Sequence, residues 1–284
     1  MKPSRFAYFA PRSVDECLGL LAEHGEDAKL LAGGQSLVPL MNLRLAAPEV
    51  LIDVNRIAEL DYVRDEADRL LIGALTRHRT VASSEAVRAG CPMLAHAAGL
   101  IGYPAIRNRG TLGGSLAHAD PASELPCVAV ALDAELVAVG PSGRRTIPAA
   151  RFFVSHFTTV LEPDELLVEA RFPRLADDDR WAFVEFSRKS GDFAVAAVAA
   201  DLGVRDGRLE RARIGVGGVG ERAWRATGAE QALAGAEAAT DVLARAAERA
   251  GNEAAATADD YRSHLVATLT HRALEGALKR NGAE

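Results

Sequence analysis

Two glycine pairs, each beside hydroxyl side chains, most strongly constrain how this chain folds. The first lies in "AGGQS" at 32–36, directly behind a short apolar run, and the second lies in "TLGGS" at 111–115. Glycine lets a backbone turn sharply and approach a ligand closely, and successive N–H groups can then converge on an anion. Neither motif has the lysine of a triphosphate-binding P-loop. Each motif alone indicates a tight turn, whereas two loops that face one another would suit a pyrophosphate.

The bulk composition is that of a soluble globular chain. The 284 residues are 49% hydrophobic and 25% charged, with a formal net charge of −6, and this length favours two domains. The mildly acidic balance argues against nucleic acid as the natural partner. No apolar stretch approaches the roughly 20 residues that span a bilayer, and the N-terminal apolar segment is too short for a signal peptide. We therefore expect a cytoplasmic protein without a membrane span.

Cysteine and histidine usage argues against a metal centre in this chain. The 3 cysteines, Cys17, Cys91 and Cys127, are far apart and form no C-x-x-C motif, whereas a cysteine-held iron–sulfur cluster needs about four thiolates. The 7 histidines show no paired ligand spacing. We expect three small buried thiols and no metal site.

The N-terminal part has the pattern of an α/β arrangement. An S-x-x-E capping box at Ser13 predicts a first helix that ends at Gly25. Short apolar runs predict buried strands at 28–33, 49–54 and 69–74. Small and apolar residues then predict helices from Thr76, as their N-cap, to about residue 102, with a break at 90–92.

The stretch from 101 to 126 contains the second glycine motif. It is rich in glycine, proline, asparagine and serine and has no usable period. Because loops of this length inside a compact domain are usually functional, we expect a long functional loop here.

The C-terminal part has an α+β pattern. A proline and three consecutive acids in "PRLADDDR" at 173–180 predict a solvated surface run and a domain boundary, which divides the chain into 1–175 and 176–284. Beyond the boundary, "WAFVEFSR" alternates as a strand does, and Asp206–Gly207 predicts a hairpin. Helical regions are expected at 229–250 and 259–280, so we predict an antiparallel sheet with a helical layer.

A third glycine-rich segment resembles a dinucleotide fingerprint only in its letters. "GVGGVG" at 215–220 satisfies G-x-G-x-x-G, but that fingerprint requires a helix and then a second strand with an acid about 20 residues further on. Here the following sequence is helical throughout. We interpret the segment as a glycine-rich strand end packed against close backbone.

The chain has glycine loops but little acid–base machinery. We find no nucleophile elbow, no Ser/His/Asp spacing and no paired-carboxylate motif. This combination is typical of a protein that holds a redox cofactor, because the cofactor carries the chemistry and the protein supplies binding and electrostatics.

Four segments, in this order and spacing, resemble the medium, FAD-binding subunit of molybdenum hydroxylases, the carbon monoxide dehydrogenase and xanthine dehydrogenase family. They are "AGGQSLVPLMNLRLA", "IRNRGTLGGSLAHADPASELP", "RKSGDFAVAA" and "GVGGVGERAWRA". The resemblance covers essentially the whole chain, and the first two segments give it most of its specificity. It implies a vanillyl-alcohol-oxidase (PCMH)-type FAD-binding domain of two α/β subdomains, followed by a small C-terminal domain of antiparallel sheet plus helices.

The resemblance also implies which residues contact FAD in the two glycine loops. The first loop would wrap the pyrophosphate with Lys29, Leu30, Leu31, Ala32, Gly33, Gly34, Gln35, Ser36 and Leu37. The second would complete the pyrophosphate and ribityl contacts with Thr111, Gly113, Gly114 and Ser115. Gln35 stands where covalently flavinylated relatives often carry histidine, so we expect non-covalent FAD.

Further residues are implied along the rest of the cofactor. Glu124 would bind the adenosine ribose hydroxyls, and Leu167 would lie near the adenine. Ile101 and Phe193 would flank the isoalloxazine ring, with Lys189 and Asp192 close to it. Without a flavin, Ile101 and Phe193 would be ordinary core residues and Glu124 a helix cap, whereas Leu167 would be core in either case. Phe193 replaces the tyrosine or tryptophan of relatives, which keeps stacking and removes a hydroxyl.

The family resemblance implies a division of labour between chains. A large molybdopterin-binding subunit would oxidise the substrate, and a small subunit would relay electrons through two [2Fe–2S] clusters. This chain would receive them on FAD and pass them to an external acceptor, within a dimer of heterotrimers. The absence of a cysteine-ligand pattern in this chain agrees with that division.

Two other functions remain open from the sequence. One is a free-standing flavin oxidoreductase of the same fold, which would need its own substrate cap with a proton donor. The other is a scaffold that has kept the fold and lost the cofactor.

Overall fold

The chain forms three packed layers of sheet and helix. The structure is a computed structural model that describes residues 2–176 and 178–280. Each layer has its own group of buried apolar side chains. The core of the second layer also includes one face of the C-terminal sheet.

The first layer is a small parallel sheet with two helices. Its strands pair in the order β1-β3-β2, all parallel. Ser13 caps the first helix by accepting a hydrogen bond from the Glu16 N–H, and Gly25 ends that helix with a φ of 50°, as the capping box predicts. The elements are β1 (Ala7–Phe9), α1 (Val14–His24), β2 (Ala28–Leu31), α2 (Leu37–Leu43) and β3 (Val50–Asp53), with 3-10 turns at Gly25–Asp27, Val54–Arg56 and Ala58–Leu60.

The second layer is an antiparallel sheet covered by short helices. Its 5 strands pair in the order β4-β5-β10-β6-β7. The strands are β4 (Val63–Asp65), β5 (Arg69–Gly73), β6 (Glu135–Gly140), β7 (Gly143–Pro148) and β10 (Leu166–Pro173), with a small separate pair β8 (Phe153–Ser155) and β9 (Thr158–Thr159). The helices are α3 (His78–Ser83), α4 (Glu85–Gly90), α5 (Pro92–Leu100), α6 (Pro104–Arg107), α7 (Leu112–His118), α8 (Glu124–Ala131) and α9 (Ala149–Phe152).

The third layer is an antiparallel sheet buried on both faces. Its strands pair in the order β11-β12-β13-β14, and the hairpin across Asp206–Gly207 has φ values of 50° and 75°, as the sequence predicts. Alternate residues of one strand face different cores, because Ala197 and Ala199 pack towards α8 whereas Val198 and Ala200 pack towards the C-terminal helices. The elements are β11 (Arg180–Phe186), β12 (Ala196–Arg205), β13 (Arg208–Gly217), β14 (Trp224–Arg225), α10 (Thr227–Leu233), α11 (Thr240–Ala254) and α12 (Asp260–Lys279).

Three local predictions were wrong. Thr76 does not cap α3, because Arg77 holds that position and the buried Thr76 hydroxyl donates instead to the Tyr62 carbonyl. The stretch 101–126 is not one long loop, since it contains α6, α7 and the start of α8. The predicted helix at 229–250 is two helices separated at a glycine with a φ of 73°, Gly235.

The acidic run at the expected domain boundary is only partly a solvated surface. Asp178 is exposed, and Asp177 lies outside the described residues. Asp179 is largely buried, with 8% of its side chain exposed, and pairs with Arg211 of β13 at 2.5 Å. Its other carboxylate oxygen accepts from the Ala176 N–H, so this acid anchors the chain where it enters the C-terminal sheet.

No helix of the described residues is both long enough and apolar enough to cross a bilayer.

Candidate functional site

The first glycine motif joins the end of a parallel strand to the start of a helix. Lys29, Leu30 and Leu31 lie in β2, Ala32 to Ser36 form the connection, and Leu37 begins α2. Within the described residues, the backbone N–H groups at positions 33–37 have no hydrogen-bond acceptor, whereas the next N–H, of Val38, bonds to the Gly34 carbonyl. A row of unpaired N–H groups at a helix start favours an anion. The segment therefore fits a phosphate.

Both glycines of this motif are required by the backbone. A Cβ on Gly33 would lie 2.4 Å from the Arg109 carbonyl oxygen and 2.7 Å from the Gly110 Cα, and Gly34 has a φ of +72°. Any larger side chain at Gly33 would push the loop away from the Arg109 segment, whose backbone cannot yield as a flexible side chain can. The motif is therefore built for close approach between two chain segments.

The structure brings the two glycine motifs together, as the sequence predicts. Gly33 contacts the backbone that immediately precedes α7, and a Cβ on Gly114 would lie 3.6 Å from the Ala32 Cβ. Gly113 is packed still more closely, since its Cβ would lie 2.5 Å from that of Ala74. The two motifs thus form adjoining walls at one place between the first and second layers.

The second motif does not supply the row of free N–H groups that the sequence suggested. Thr111 caps α7, and its hydroxyl accepts from the Gly114 N–H at 3.1 Å. The Gly113 N–H donates to the Ala74 carbonyl, and the Ser115 N–H donates to the Thr111 carbonyl. Since these donors are already used, the half-buried Ser115 hydroxyl is the polar group that this turn offers to a ligand.

A network of polar side chains that the sequence did not reveal links the two loops. Asn55, just after β3, donates from its side-chain nitrogen to the Ala32 carbonyl at 2.7 Å. Arg77 donates to the Asn55 side-chain oxygen at 2.7 Å and also to the Arg109 carbonyl. The network therefore connects the first glycine loop, at Ala32, with the segment at Arg109 that Gly33 contacts. Asn55 and Arg77 each follow the end of a strand, which is the signal that could have identified them.

His78 supports the second motif from behind. Its Nε2–H donates to the Thr111 carbonyl at 2.8 Å, and its buried Nδ1 has no hydrogen-bond partner among the described residues. Burial lowers the pKa of His78 to about 4, and the positive charges of Arg77 and Arg107 also lower it. The hydrogen bond to Thr111 raises the pKa but does not offset these effects. The ring is therefore neutral at physiological pH.

The unfolding free energy should depend on His78 in acid. The folded pKa of about 4 lies below the ordinary 6.5, so the unfolded chain binds the extra proton between these values and stability falls as the pH drops through that window. Complete titration is worth about 3 kcal/mol. We expect denaturant unfolding of wild type and His78→Gln to show a difference that shrinks by this amount from pH 6.5 to pH 4. A constant difference would contradict the buried, neutral ring.

The side chains predicted beside the flavin ring come from two neighbouring segments. Ile101 follows α5 and is buried, with 9% of its surface exposed. Lys189, Asp192 and Phe193 lie in the turn between β11 and β12, where Phe193 is 62% exposed. Lys189 and Asp192 form an exposed ion pair at 3.7 Å. The exposed Phe193 ring is not a core residue in this chain.

Glu124 is the first residue of α8 and is buried. Burial raises the pKa of its carboxyl to about 7, and the nearby Glu185 and Asp120 add to the increase, opposed by a hydrogen bond from its own backbone N–H. Burial also raises the pKa of Glu185, one of whose carboxyl oxygens has no partner among the described residues. The sequence did not identify Glu185, because alternation alone placed it on an ordinary strand.

Leu167 lies inside the second layer. It is 4% exposed, belongs to the core around β10, and sits at an irregularity in the pairing of β10 with β6. Its neighbour Val168 accepts a hydrogen bond from the Ala74 N–H, and Ala74 in turn packs against Gly113. Leu167 is therefore close in the fold to the second glycine motif while its side chain is part of the core.

The segment that mimics a dinucleotide fingerprint is a packed strand end. A Cβ on Gly215 would lie 2.5 Å from the Cys127 carbonyl oxygen and 2.8 Å from the Ala131 Cβ. This strand, β13, belongs to an antiparallel sheet, so the segment lacks the strand–helix–strand setting of that fingerprint. The interpretation as close backbone packing is confirmed.

Comparison with known protein families agrees with this architecture. Residues 4–175 match the family described as "FAD binding domain in molybdopterin dehydrogenase", and residues 181–277 match the "CO dehydrogenase flavoprotein C-terminal domain". Fold and site thus define the class of the protein, which is an FAD-binding flavoprotein subunit of an oxidoreductase.

Similar individual proteins are found along the full chain. The carbon monoxide dehydrogenase medium chain of Hydrogenophaga pseudoflava is 41% identical, covering 99% of both chains. The 6-hydroxypseudooxynicotine dehydrogenase complex subunit alpha of Paenarthrobacter nicotinovorans is 43% identical, covering 99% of this chain and 97% of the relative. A solved carbon monoxide dehydrogenase structure from Hydrogenophaga pseudoflava superimposes with a TM-score of 0.95 at 42% identity, covering 98% of this chain and 99% of that one.

The chain belongs to the family of FAD-binding medium subunits of molybdenum hydroxylases. The resemblance and the fold class that the sequence predicts are confirmed by the family matches and by the superposition. FAD is the cofactor of this family's N-terminal domain.

Proposed function

We propose that this chain holds FAD between its two glycine motifs and transfers electrons from the [2Fe–2S] clusters of a partner subunit to an external acceptor. The observation that carries the proposal is the row of unpaired N–H groups at 33–37, closed on one side by the Arg109 backbone. When bound, FAD supplies the redox chemistry, because it accepts and releases electrons in one- or two-electron steps. The chain's own residues supply binding and orientation.

Each part of the chain has a distinct role in this proposal. The first loop binds the pyrophosphate through its backbone, and Ser115 adds a hydroxyl beside it. Asn55 and Arg77 hold the loop and the Arg109 segment at a fixed separation. Glu124 accepts from the adenosine ribose, Leu167 supports the adenine end, and Ile101 and Phe193 flank the ring, with Lys189 and Asp192 nearby.

The cofactor is held without a covalent bond. Gln35 stands in the first loop, and its side-chain nitrogen donates to the Gly33 carbonyl at 3.1 Å. An amide offers no nucleophile for attachment to the flavin, and this hydrogen bond uses the amide to stabilise the loop. Gln35 is thus a structural residue of the cradle.

The proposal extends to partners and domain division. Residues 1–175 form the FAD-binding domain and 176–284 the C-terminal domain. Relatives at high coverage include a named complex subunit and named medium chains, which supports assembly with a large molybdopterin-binding subunit and a small [2Fe–2S] subunit. We propose a dimer of such heterotrimers, in the cytoplasm, with substrate specificity residing on another chain.

An FAD titration tests the binding part of this proposal. The flavin-free protein, in its native assembly, is titrated with FAD while flavin fluorescence and absorbance are followed. We expect saturation at one FAD per chain and complete release of the flavin into the supernatant when the protein is precipitated with acid. A protein that stays colourless in excess FAD would favour the scaffold alternative, and flavin that remains with the precipitate would contradict non-covalent binding.

A further inference from the structure

The turn between β11 and β12 is exposed at its tip, whereas Ala194 near its end is buried in the core of the second layer. Residues 187–195 separate the two strands, whose pairing begins between Phe186 and Ala196. Inside the turn, the Asp192 N–H donates to the Lys189 carbonyl and the Ser187 hydroxyl donates to the same carbonyl. These bonds shape the turn, but they do not attach it to the FAD-binding domain.

Tyr103 attaches this turn to the other domain. Its hydroxyl donates to the Ser190 carbonyl at 3.2 Å. A Cβ on Gly191 would lie 3.1 Å from two atoms of the Tyr103 ring and 3.3 Å from the Gly102 carbonyl oxygen. Gly191 also has a φ of +83°, a conformation that favours glycine, and an added Cβ would press on the Tyr103 ring.

The segment around Tyr103, which the turn contacts, has hydrogen bonds of its own. Arg107 donates from one guanidinium nitrogen to the Ile101 carbonyl at 2.9 Å and to the Gly102 carbonyl at 3.0 Å. The Ile106 and Arg107 N–H groups bond to the Tyr103 carbonyl, which closes the first turn of α6. Tyr103 therefore lies at the start of a closed helical turn, and its hydroxyl bonds to the exposed tip of the turn at 187–195.

We propose that Tyr103 is a positioning residue that latches the turn at 187–195 over the flavin ring and so limits how far small external molecules reach the ring. The inference rests on the proposed function, because it takes Ile101 and Phe193 as the residues that flank the ring. The latch joins these two segments directly, since Tyr103 is two residues from Ile101 and Ser190 is three from Phe193. Releasing Tyr103 frees the turn that carries Phe193, Lys189 and Asp192.

Hydrogen exchange and flavin quenching together test the latch. Tyr103→Phe removes the hydroxyl, Tyr103→Ala also removes the ring, and Gly191→Ala adds a Cβ against it. Because a single hydrogen bond contributes modestly, we expect amide exchange in residues 187–195 to rise about three- to tenfold in Tyr103→Phe, and further in the other two variants. Iodide quenching of the bound flavin's fluorescence, at constant ionic strength, should rise in the same order.

Matched controls separate the latch from general strain. Gly207→Ala places alanine at another hairpin glycine, with a φ of +75° and no neighbour within 4 Å of the added Cβ. Tyr261→Phe removes the hydroxyl of a tyrosine that is 60% exposed on α12. Neither control should change exchange at 187–195 or iodide quenching. Exchange in α12 peptides reports whether any variant has lost its global fold.

The outcomes distinguish the latch from the proposed function. Unchanged exchange and unchanged quenching in all three latch variants would overturn the latch, even if the wild type binds FAD normally. A wild type that binds no FAD would contradict the proposed function alone, since exchange at 187–195 in the flavin-free protein still tests the contact between Tyr103 and the turn.

Discussion

Replacing Gly33 with alanine is expected to weaken FAD binding by about five- to 150-fold, because overpacking of this kind costs on the order of 1–3 kcal/mol. The added Cβ would lie 2.4 Å from the Arg109 carbonyl oxygen. Relieving that overlap requires the two segments to separate, which removes the wall that closes the row of N–H groups. The dissociation constant for FAD, from titration of the flavin-free protein, measures the effect.

Two companion variants control the Gly33 experiment. Gly19→Ala changes a glycine on α1 whose added Cβ meets no atom within 4 Å, so FAD binding should not change. Gly34→Ala imposes a left-handed conformation on alanine, which costs about 1–2 kcal/mol, and should weaken FAD binding by an intermediate factor. If Gly33→Ala folds normally and binds FAD as tightly as Gly19→Ala, the first glycine loop is not the pyrophosphate site.

Removing FAD from the native complex is expected to abolish electron transfer to an external acceptor. In the proposed arrangement, FAD on this chain is the route between the partner's [2Fe–2S] clusters and the acceptor. Substrate should therefore still reduce the clusters while acceptor reduction falls to background. Adding FAD back to the same preparation should restore the rate, which separates loss of the cofactor from damage to the complex.

Local sequence signals predicted those elements whose stability is decided locally. The capping box at Ser13, the end of α1 at Gly25 and the Asp206–Gly207 hairpin all occur as expected, because each depends on contacts within a few residues. The close packing at Gly215 was also predictable in kind, since glycine in a strand marks close backbone approach.

Elements stabilised by distant contacts were missed. Helix α7 begins in a glycine-rich motif of low intrinsic helix propensity, yet the N–H groups of Leu112 and Gly113 donate to the carbonyls of Thr76 and Ala74. These bonds join residues far apart in sequence, so no local pattern could report them. For the same reason Arg77 and Asn55 were not predicted, although their network fixes the separation of the two glycine motifs.

The structure places the two glycine motifs side by side, and their contacts with FAD stay a prediction. Sequence reasoning joined residues 33–34 with 113–114, and the structure does bring these glycines to adjoining walls. It also assigned the same role to both motifs, whereas the N–H groups of Gly113 and Gly114 are already bonded within the chain. The same Gly–Gly pair thus has free N–H groups in the first motif, which follows β2, and bonded N–H groups in the second motif, which Thr111 caps.

The most direct test follows two absorbances after substrate is mixed anaerobically with the native complex. One reports the iron–sulfur clusters of the partner, and the other reports the oxidised flavin of this chain. We expect both absorbances to fall in the complete complex, and only the cluster absorbance to fall when FAD has been removed. A flavin that stays oxidised while the clusters are reduced would contradict electron transfer to this chain, as would an isolated single chain that reduces its own flavin with a small substrate.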